Sequence, residues 1–153
     1  MNLLHNNTLG IDIGSTTVKI AVLDSEQHIL FTDYERHYAN IQETLALLLS
    51  KAKEKLGEMT VSPSITGSGG LTLSGHLNVP FTQEVVAVAT ALQDYAPQTD
   101  VAIELGGEDA KIIYFTGGID QRMNGICAGG TGSFIDQMAS LLQTDAAGLN
   151  EYA

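Results

Sequence analysis

Two short segments of the chain place an acid, a glycine and a lysine at matching positions. Asp12 and Lys19 are seven residues apart with a glycine between them, and Glu104 and Lys111 repeat that spacing. A carboxylate can hold Mg²⁺ through water, a lysine can neutralise phosphate, and glycine lets the backbone approach an anion. The segments therefore predict two phosphate-binding turns. Asp12 and Glu104 are the predicted catalytic acids, which position metal and attacking water, and Asp12 is the predicted magnesium ligand, through water.

We call the segment Asp12–Lys19 the first grip and the segment Glu104–Lys111 the second grip. Successive N–H groups of a tight turn can face an anion, and serine and threonine hydroxyl groups add further donors. The residues predicted to bind the nucleotide are Gly14, Ser15, Thr16, Thr17, Lys19, Gly106, Gly107, Glu108, Asp109 and Lys111. Both segments are also compatible with glycine turns that only close a hairpin. Neither is a Walker A loop, because no glycine precedes the lysine.

Strands and helices must hold the grips in place. Alternating apolar residues predict strands at Leu9–Ile13, Val18–Leu23, His28–Tyr38, Val101–Leu105, Lys111–Phe115 and near Gln121–Gly125. Apolar residues at helical spacing predict helices from an Asn40 cap to about Leu56, over Thr82–Tyr95 and over about Gly132–Leu142. Val85, Val86, Ala89 and Leu92 are expected on the buried side of the second helix. A short strand at Ser64–Gly67 runs into the glycine turn Ser68–Gly70, which is most simply a strand exit.

Both parts of the chain open with strand, turn, strand, strand and helix. This repeat predicts an α/β fold in which a mixed sheet is flanked by helices. We expect one complete domain over residues 1–98 and the beginning of a duplicated second domain over residues 99–153. The alternative is chance similarity between two ordinary hairpins.

The composition limits the partners and the compartment. Acids outnumber bases 18 to 7, for a formal charge of −11, and such a field disfavours nucleic-acid binding. A single cysteine excludes an internal disulfide and favours a reducing compartment. The apolar runs are too short to cross a membrane, and Met1–Thr8 lacks the features of a signal peptide. We therefore expect a soluble, cytoplasmic protein that binds neither nucleic acid nor membrane.

Other polar residues show no pattern that predicts chemistry. The histidines have no metal-ligand spacing, and we expect surface or partly buried positions for His5, His28, His37 and His76. Lys51, Lys53 and Lys55 are most simply the solvated face of the first helix.

The first grip lies in a segment that resembles a known phosphate motif. Gly10–Lys19, with the sequence GIDIGSTTVK, resembles the first phosphate motif of the superfamily of actin, sugar kinases and heat-shock chaperone ATPases, and Glu104–Lys111 resembles the second. The resemblance implies a ribonuclease-H-like, actin-like ATPase fold of two such domains, with ATP or ADP bound between them.

A further segment narrows the resemblance. Met123–Asp136, with the sequence MNGICAGGTGSFID, resembles the Cys-Ala-Ala/Gly-Gly-Thr-Gly segment of the activators of 2-hydroxyacyl-CoA dehydratases and of the ATPase subunits of benzoyl-CoA reductase. In that family the cysteine, here Cys127, ligates a 4Fe-4S cluster shared by two subunits of a homodimer. The resemblance implies that ATP hydrolysis drives an electron from reduced ferredoxin or flavodoxin onto a partner dehydratase or reductase, which can be fused on the same chain.

The residues alone leave alternatives for this segment. Cys127 precedes a predicted helix N-terminus, which favours the metal-binding thiolate, but a lone cysteine is also compatible with a buried small hydrophobe. Gly129, Gly130, Thr131 and Gly132 are predicted to contact phosphate at the helix N-terminus, and they are also compatible with a flexible loop and an N-cap.

The sequence departs from the family at four points. The family has Asp at Glu104, Gln at Glu108 and Ser at Ala110, so the metal geometry at Glu104 and the charge beside the phosphates differ. The family's second cluster cysteine and adenosine motif are expected beyond residue 153, and we expect the chain to be the first part of a longer protein. The 153 residues alone are expected to lack significant ATPase activity, because the adenosine side of the cleft is needed.

Two other functions remain open at this point. A small-molecule kinase of the same superfamily would keep both grips, although no sugar-kinase signature is visible. A regulatory or interaction module would bind nucleotide weakly or not at all, and the substituted positions Glu104 and Glu108 favour it.

Overall fold

The computed structural model describes residues 7–125 and 129–152, so Cys127 lies outside the described residues. The chain divides into two compact units, Met1–Ala87 and Val88–Ala153. The domain boundary predicted at residue 98 stays a prediction. No helix in the described part of the chain combines the length and the apolar character that a membrane span requires.

The first unit is a mixed sheet with its helices. Its elements are β1 Asn7–Ile13, β2 Thr17–Leu23, β3 Ile29–Arg36, α1 Ile41–Leu56, β4 Val61–Thr66 and α2 Gly70–Leu77. The strand order is β3-β2-β1-β4, with β1 antiparallel to β2 and parallel to β4, so the predicted mixed sheet is confirmed. Pro63 fits into β4 because that strand is at the edge of the sheet, where a missing N–H is tolerated.

One face of this sheet forms the core of the first unit. Leu9, Ile11 and Ile13 of β1 alternate with residues that point away, and they pack with Val18, Ile20 and Val22 of β2. From α1, the buried residues Leu45, Leu48 and Ala52 cover this face. Because side chains alternate along a strand, Asp12 and Lys19 must lie on the opposite, uncovered face.

The second unit contains a smaller antiparallel sheet. Helix α3, Glu84–Tyr95, runs across the division between the units, and the remaining elements are β5 Val101–Leu105, β6 Ala110–Tyr114, β7 Asp120–Met123, α4 Gly132–Leu141 and a 3-10 helix at Gly148–Glu151. The strand order is β5-β6-β7. The strand–turn–strand–strand–helix order predicted for both parts of the chain is therefore present in each.

Several sequence-based expectations are wrong in detail. Helix α2 was not predicted, because its short segment contains two glycines and a threonine, which are weak helix formers. The first residue of α3 is Glu84 instead of Thr82, and Val86, expected on the buried side, is 47% exposed. Asn40 does precede α1, but its side chain makes no cap hydrogen bond.

The second sheet also differs from the first in which face is buried. Ile103 and Leu105 of β5 correspond to core residues of β1, yet they are 70% and 66% exposed. On the opposite face, Ile113 of β6 is fully buried. Glu104 thus belongs to the more buried face of its sheet, whereas Asp12 belongs to the open face of the first sheet.

Lys51 links α1 to β3 through two ion pairs. Its Nζ donates to Asp33 Oδ2 at 3.0 Å and to Glu35 Oε1 at 2.6 Å. Hydrogen bonds to Glu35 and then to Asp33 raise the pKa of Lys51, and the bond from Lys51 lowers the pKa of Asp33. Lys51 is therefore not only part of a solvated helix face.

We predict that Lys51→Met lowers the free energy of unfolding, and that the loss depends on pH. The lowered Asp33 pKa stabilises the fold above the ordinary aspartate pKa of about 4, and this contribution disappears as pH falls through the folded value. The raised Lys51 pKa stabilises the fold below the ordinary lysine pKa of about 10.4, and this is lost as pH rises through the folded value. Urea unfolding at pH 7 and pH 3 measures the difference.

Lys53→Met is the matched control. Lys53 lies 3.0 Å from Glu58, but both side chains are mostly exposed, so the pair contributes little. An equal loss in both variants, or a Lys51→Met effect that is the same at both pH values, would contradict the prediction.

Candidate functional site

The first grip is a hairpin turn between β1 and β2. The Gly14 N–H donates to the Thr17 carbonyl at 2.9 Å, which closes a four-residue turn. This turn sets the strand register, in which Asp12 is the direct cross-strand partner of Lys19. Lys19 Nζ donates to Asp12 Oδ2 at 2.7 Å. The predicted acid and lysine are therefore brought together.

The open face of the first sheet forms a concave surface around this ion pair. A cavity of about 680 Å³ is lined by residues that include Asp12, Lys19, Thr66 and Thr82. Asp12 retains 32% side-chain exposure, which gives a metal ion access to its carboxylate. Within the described residues, no group of three or more His, Cys, Asp or Glu side chains could hold a metal alone. A magnesium ion at Asp12 would fit as one that keeps waters and phosphate oxygens as its other ligands.

A second glycine turn packs closely against Asp12. Strand β4 is parallel to β1, with Thr66 as the partner of Asp12, and the chain then turns through Gly67 into α2. The Gly69 N–H donates to the Ile13 carbonyl at 2.9 Å. A Cβ at Gly67, where φ is 94°, would collide with the Ile13 carbonyl and the Asp12 carboxylate. The sequence shows the glycine cluster and predicts a strand exit, but its contact with Asp12 depends on the pairing of β4 with β1, which the local sequence does not reveal.

The second grip repeats the geometry of the first. The Gly106 N–H donates to the Asp109 carbonyl at 2.8 Å, and Glu104 is the cross-strand partner of Lys111. Lys111 Nζ lies 3.3 Å from Glu104 Oε1, and only 11% of the Lys111 side chain is exposed. A Cβ at Gly106 would be 3.2 Å from the Asp109 oxygen, so the turn is tight.

The glycine-rich segment before α4 is hydrogen bonded to the second grip. The N–H groups of Gly132 and Ser133 donate to the carbonyls of Gly106 and Gly107 at 3.0 and 2.7 Å. Thr131 is the N-cap residue and is fully buried, while Gly129 and Gly130 before it are exposed. The first N–H groups of α4 thus hold the second grip in place by binding its carbonyl groups.

The other end of the same segment is also attached to the second grip. Asn124 Oδ1 accepts the Ala110 N–H at 2.7 Å, and the Asn124 N–H donates to the Ala110 carbonyl at 3.2 Å. Cys127 lies in sequence between these two attachment points, at Asn124 and Gly132. The predicted cysteine ligand itself lies outside the described residues.

Buried side-chain oxygens without a hydrogen-bond partner lie within the second grip or next to one of the two grips. Three such side-chain oxygens occur in the described part of the chain: Thr66 Oγ1, Glu104 Oε2 and Thr131 Oγ1. Thr66 is paired with Asp12, Glu104 is the acid of the second grip, and Thr131 precedes the residue bonded to Gly106. A buried polar atom without a hydrogen bond is costly, so this distribution is typical of sites that a ligand completes.

Comparison with known proteins assigns the family. The sequence pattern of the BadF/BadG/BcrA/BcrD ATPase family matches residues 9–152. The chain belongs to this family. The (R)-2-hydroxyglutaryl-CoA dehydratase activating ATPase of Acidaminococcus fermentans is 30% identical over 149 residues, which is 94% of this chain and 56% of that protein.

Solved structures of similar proteins agree with the fold. The crystal structure of component A of the A. fermentans (R)-2-hydroxyglutaryl-CoA dehydratase matches with a TM-score of 0.82 at 28% identity, covering 95% of this chain and 57% of that one. The activator of 2-hydroxyisocaproyl-CoA dehydratase from Clostridium difficile, solved with bound ADPNP, matches with a TM-score of 0.78 at 27% identity, covering 94% and 55%. The predicted actin-like ATPase fold and the resemblance to dehydratase activators are confirmed. The chain spans a little over half the length of these relatives.

We predict that Gly67→Ala displaces Asp12 and weakens Mg-ATP binding. Its Cβ would meet backbone and carboxylate atoms that cannot move away without shifting β1. Gly57→Ala is the matched control, because Gly57 also has a positive φ, of 78°, but has open space around it. The control should lower the free energy of unfolding only through its backbone strain, by about 1–3 kcal/mol, because φ of 78° with ψ of −167° is a conformation that essentially only glycine adopts. Calorimetric titration with Mg-ATP and urea unfolding of both variants, made in the full-length protein, check this, and equal effects would contradict it.

Proposed function

We propose that this chain supplies the phosphate-binding part of an ATPase that activates a dehydratase or reductase by ATP-dependent electron transfer. The observation that carries the proposal is where the buried side-chain oxygens without a partner lie among the described residues. Glu104 Oε2 is in the second grip, Thr66 Oγ1 is on the strand partner of Asp12, and Thr131 Oγ1 is just before the residue bonded to Gly106. Family membership and the activating ATPase of A. fermentans support the same conclusion. The ADPNP bound to the C. difficile activator supports a nucleotide as the ligand that completes these sites.

The proposed work of the residues follows from their positions. At the first grip, Asp12 would hold magnesium through water, the N–H and hydroxyl groups of the turn would donate to phosphate oxygens, and Lys19 would neutralise phosphate charge. At the second grip, Glu104 orients the attacking water and Lys111 balances developing charge. Bound magnesium would supply charge neutralisation for phosphoryl transfer to water.

We propose direct phosphate contact for only part of the segment Gly129–Gly132. The amides of Gly132 and Ser133 already donate to the second grip, so these residues act by holding that grip in place. The exposed Gly129 and Gly130 remain the ones available for direct contact with a ligand.

We propose that Cys127 is one ligand of an iron–sulfur cluster. The chain has a single cysteine, so it cannot complete a 4Fe-4S cluster, and two copies supply only two thiolates. A cluster therefore requires further ligands from outside these residues, which fits a homodimer of a longer protein. Asn124 and Gly132, on either side of Cys127 in the sequence, are both hydrogen bonded to the second grip. These bonds support a coupling between nucleotide binding at the second grip and the position of Cys127. A ferredoxin or flavodoxin donor and a cytoplasmic setting complete the proposal.

Anaerobic reconstitution of the full-length protein with iron and sulfide tests the electron-transfer function. We expect iron–sulfur absorbance that Cys127→Ala abolishes, together with Mg-ATP hydrolysis that needs no added sugar or carboxylate. Absorbance that Cys127→Ala leaves unchanged would sink the assignment of this cysteine. ATP consumption that depends on an added sugar or carboxylate would favour a kinase. Failure to bind Mg-ATP in calorimetry would leave only an interaction module.

We predict that Asp12→Asn, in the full-length protein, weakens the magnesium-dependent binding and hydrolysis of ATP about 10- to 100-fold, the range for loss of a group that orients a metal's ligands. Asparagine keeps the shape of the side chain but removes the charge that attracts the cation. Asp94→Asn makes the same charge change at an exposed position of α3 and should behave as wild type. Titration of ATP with and without magnesium checks this, and equal behaviour of the two variants would contradict it.

A further inference from the structure

His37 is buried directly behind the first grip. It follows β3 and is only 8% exposed, although the sequence predicted a surface or partly buried position. Its backbone N–H donates to the Thr16 carbonyl at 3.2 Å. Its ring Nε2 lies 3.2 Å from the Gly14 carbonyl. One residue therefore contacts two carbonyl groups of the same phosphate turn.

The hydrogen bonds fix the tautomer of the ring. The Ala39 N–H donates to Nδ1 at 3.0 Å, so Nδ1 must be an acceptor without a proton. The ring proton is therefore on Nε2, where it is donated to the Gly14 carbonyl. The neutral Nε2–H form is the one that satisfies both contacts.

The backbone after His37 is strained in a way that serves this contact. Tyr38 and Ala39 are consecutive non-glycine residues with φ of 43° and 69°. Left-handed conformations at such residues are uncommon, and they persist where the surrounding structure imposes them. The Tyr38 side chain is 78% exposed, so its packing does not account for the conformation. The bend is closed by the Asn40 N–H, which donates to the His37 carbonyl at 2.6 Å, and it also brings the Ala39 N–H to the His37 ring.

We propose that His37 is a positioning residue that presets the first grip for phosphate. The His37 ring and backbone N–H hold the carbonyls of Gly14 and Thr16 on the His37 side of the turn. The Gly14 carbonyl and the Ser15 N–H belong to one trans peptide group and point in opposite directions, so the ring contact directs the Ser15 N–H away from His37. Within the described residues, the Ser15 N–H donates to no backbone carbonyl, and Ser15 is exposed. This amide is then ordered toward an anion before the anion binds. The inference rests on the proposed function, because it assumes that the first grip binds nucleotide phosphate.

Two substitutions separate the two ring contacts. In His37→Gln the side-chain amide nitrogen can reach the position of Nε2 and keep the bond to Gly14. In His37→Asn the side-chain oxygen can replace Nδ1 as acceptor for Ala39, but the Gly14 contact is lost. We expect His37→Asn to bind Mg-ATP about fivefold more weakly, as for one lost hydrogen bond, and His37→Gln to stay within about twofold of wild type.

The readouts distinguish positioning from general stability. Calorimetric titration of the full-length protein with Mg-ATP gives the affinities, urea unfolding gives the stabilities, and ¹⁵N NMR of the imidazole gives the tautomer. The inference is supported if Mg-ATP affinity falls in His37→Asn, which loses the Gly14 contact, and stays near wild type in His37→Gln, whatever the stabilities of the two variants. Wild-type affinity in His37→Asn, affinity losses in both variants that parallel their stability losses, or an Nδ1–H tautomer in the wild type would overturn it. A wild type that binds no Mg-ATP sinks the proposed function and this inference together, whereas an unchanged His37→Asn sinks the inference alone.

Discussion

Each grip depends on a backbone hydrogen bond of the same type, from a glycine N–H to the carbonyl three residues later. At Gly14 and at Gly106 this bond closes the turn and thereby fixes the register of the strands on either side. The register makes an acid and a lysine direct cross-strand partners, because each lies the same distance from the turn. A shift of one residue would move each acid to the other face of its sheet. The chemistry of the site is therefore set by turn geometry before any side chain packs.

The two units support this shared turn in different ways. In the first, glycine turns and a histidine surround the grip, and the acid–lysine pair faces open space. In the second, the N-terminus of α4 donates to the carbonyls of the turn, and Lys111 is nearly buried beside Glu104. The first grip is accessible and the second is confined. This asymmetry suits the proposed roles, in which the first grip admits the cation and the second orients the attacking water.

The sequence predicted the parts of the fold that depend on local pattern. Alternation of apolar residues located the strands of both sheets, and the matching acid, glycine and lysine positions predicted both grips. Helix α2 was missed because its glycines and threonine give no helical signal, and it is held by contact with β4 and by the hydrogen bond from Gly69 to Ile13. The role of His37 could not be predicted because it depends on the bend at Tyr38 and Ala39, which no local propensity favours. The exposure of Ile103 and Leu105 depends on what packs against β5, and that is a tertiary property.

The ion pairs inside the grips have a thermodynamic consequence. Before any ligand binds, Lys19 is already neutralised by Asp12, and Lys111 lies against Glu104. An anion arriving alone would compete with the carboxylate for the lysine and leave an acid uncompensated, while a cation arriving alone would displace the lysine. When both arrive together, each charged group exchanges one partner for another of the same sign. In the proposed function, this paired resting state would favour magnesium and phosphate as a joint ligand over either one alone.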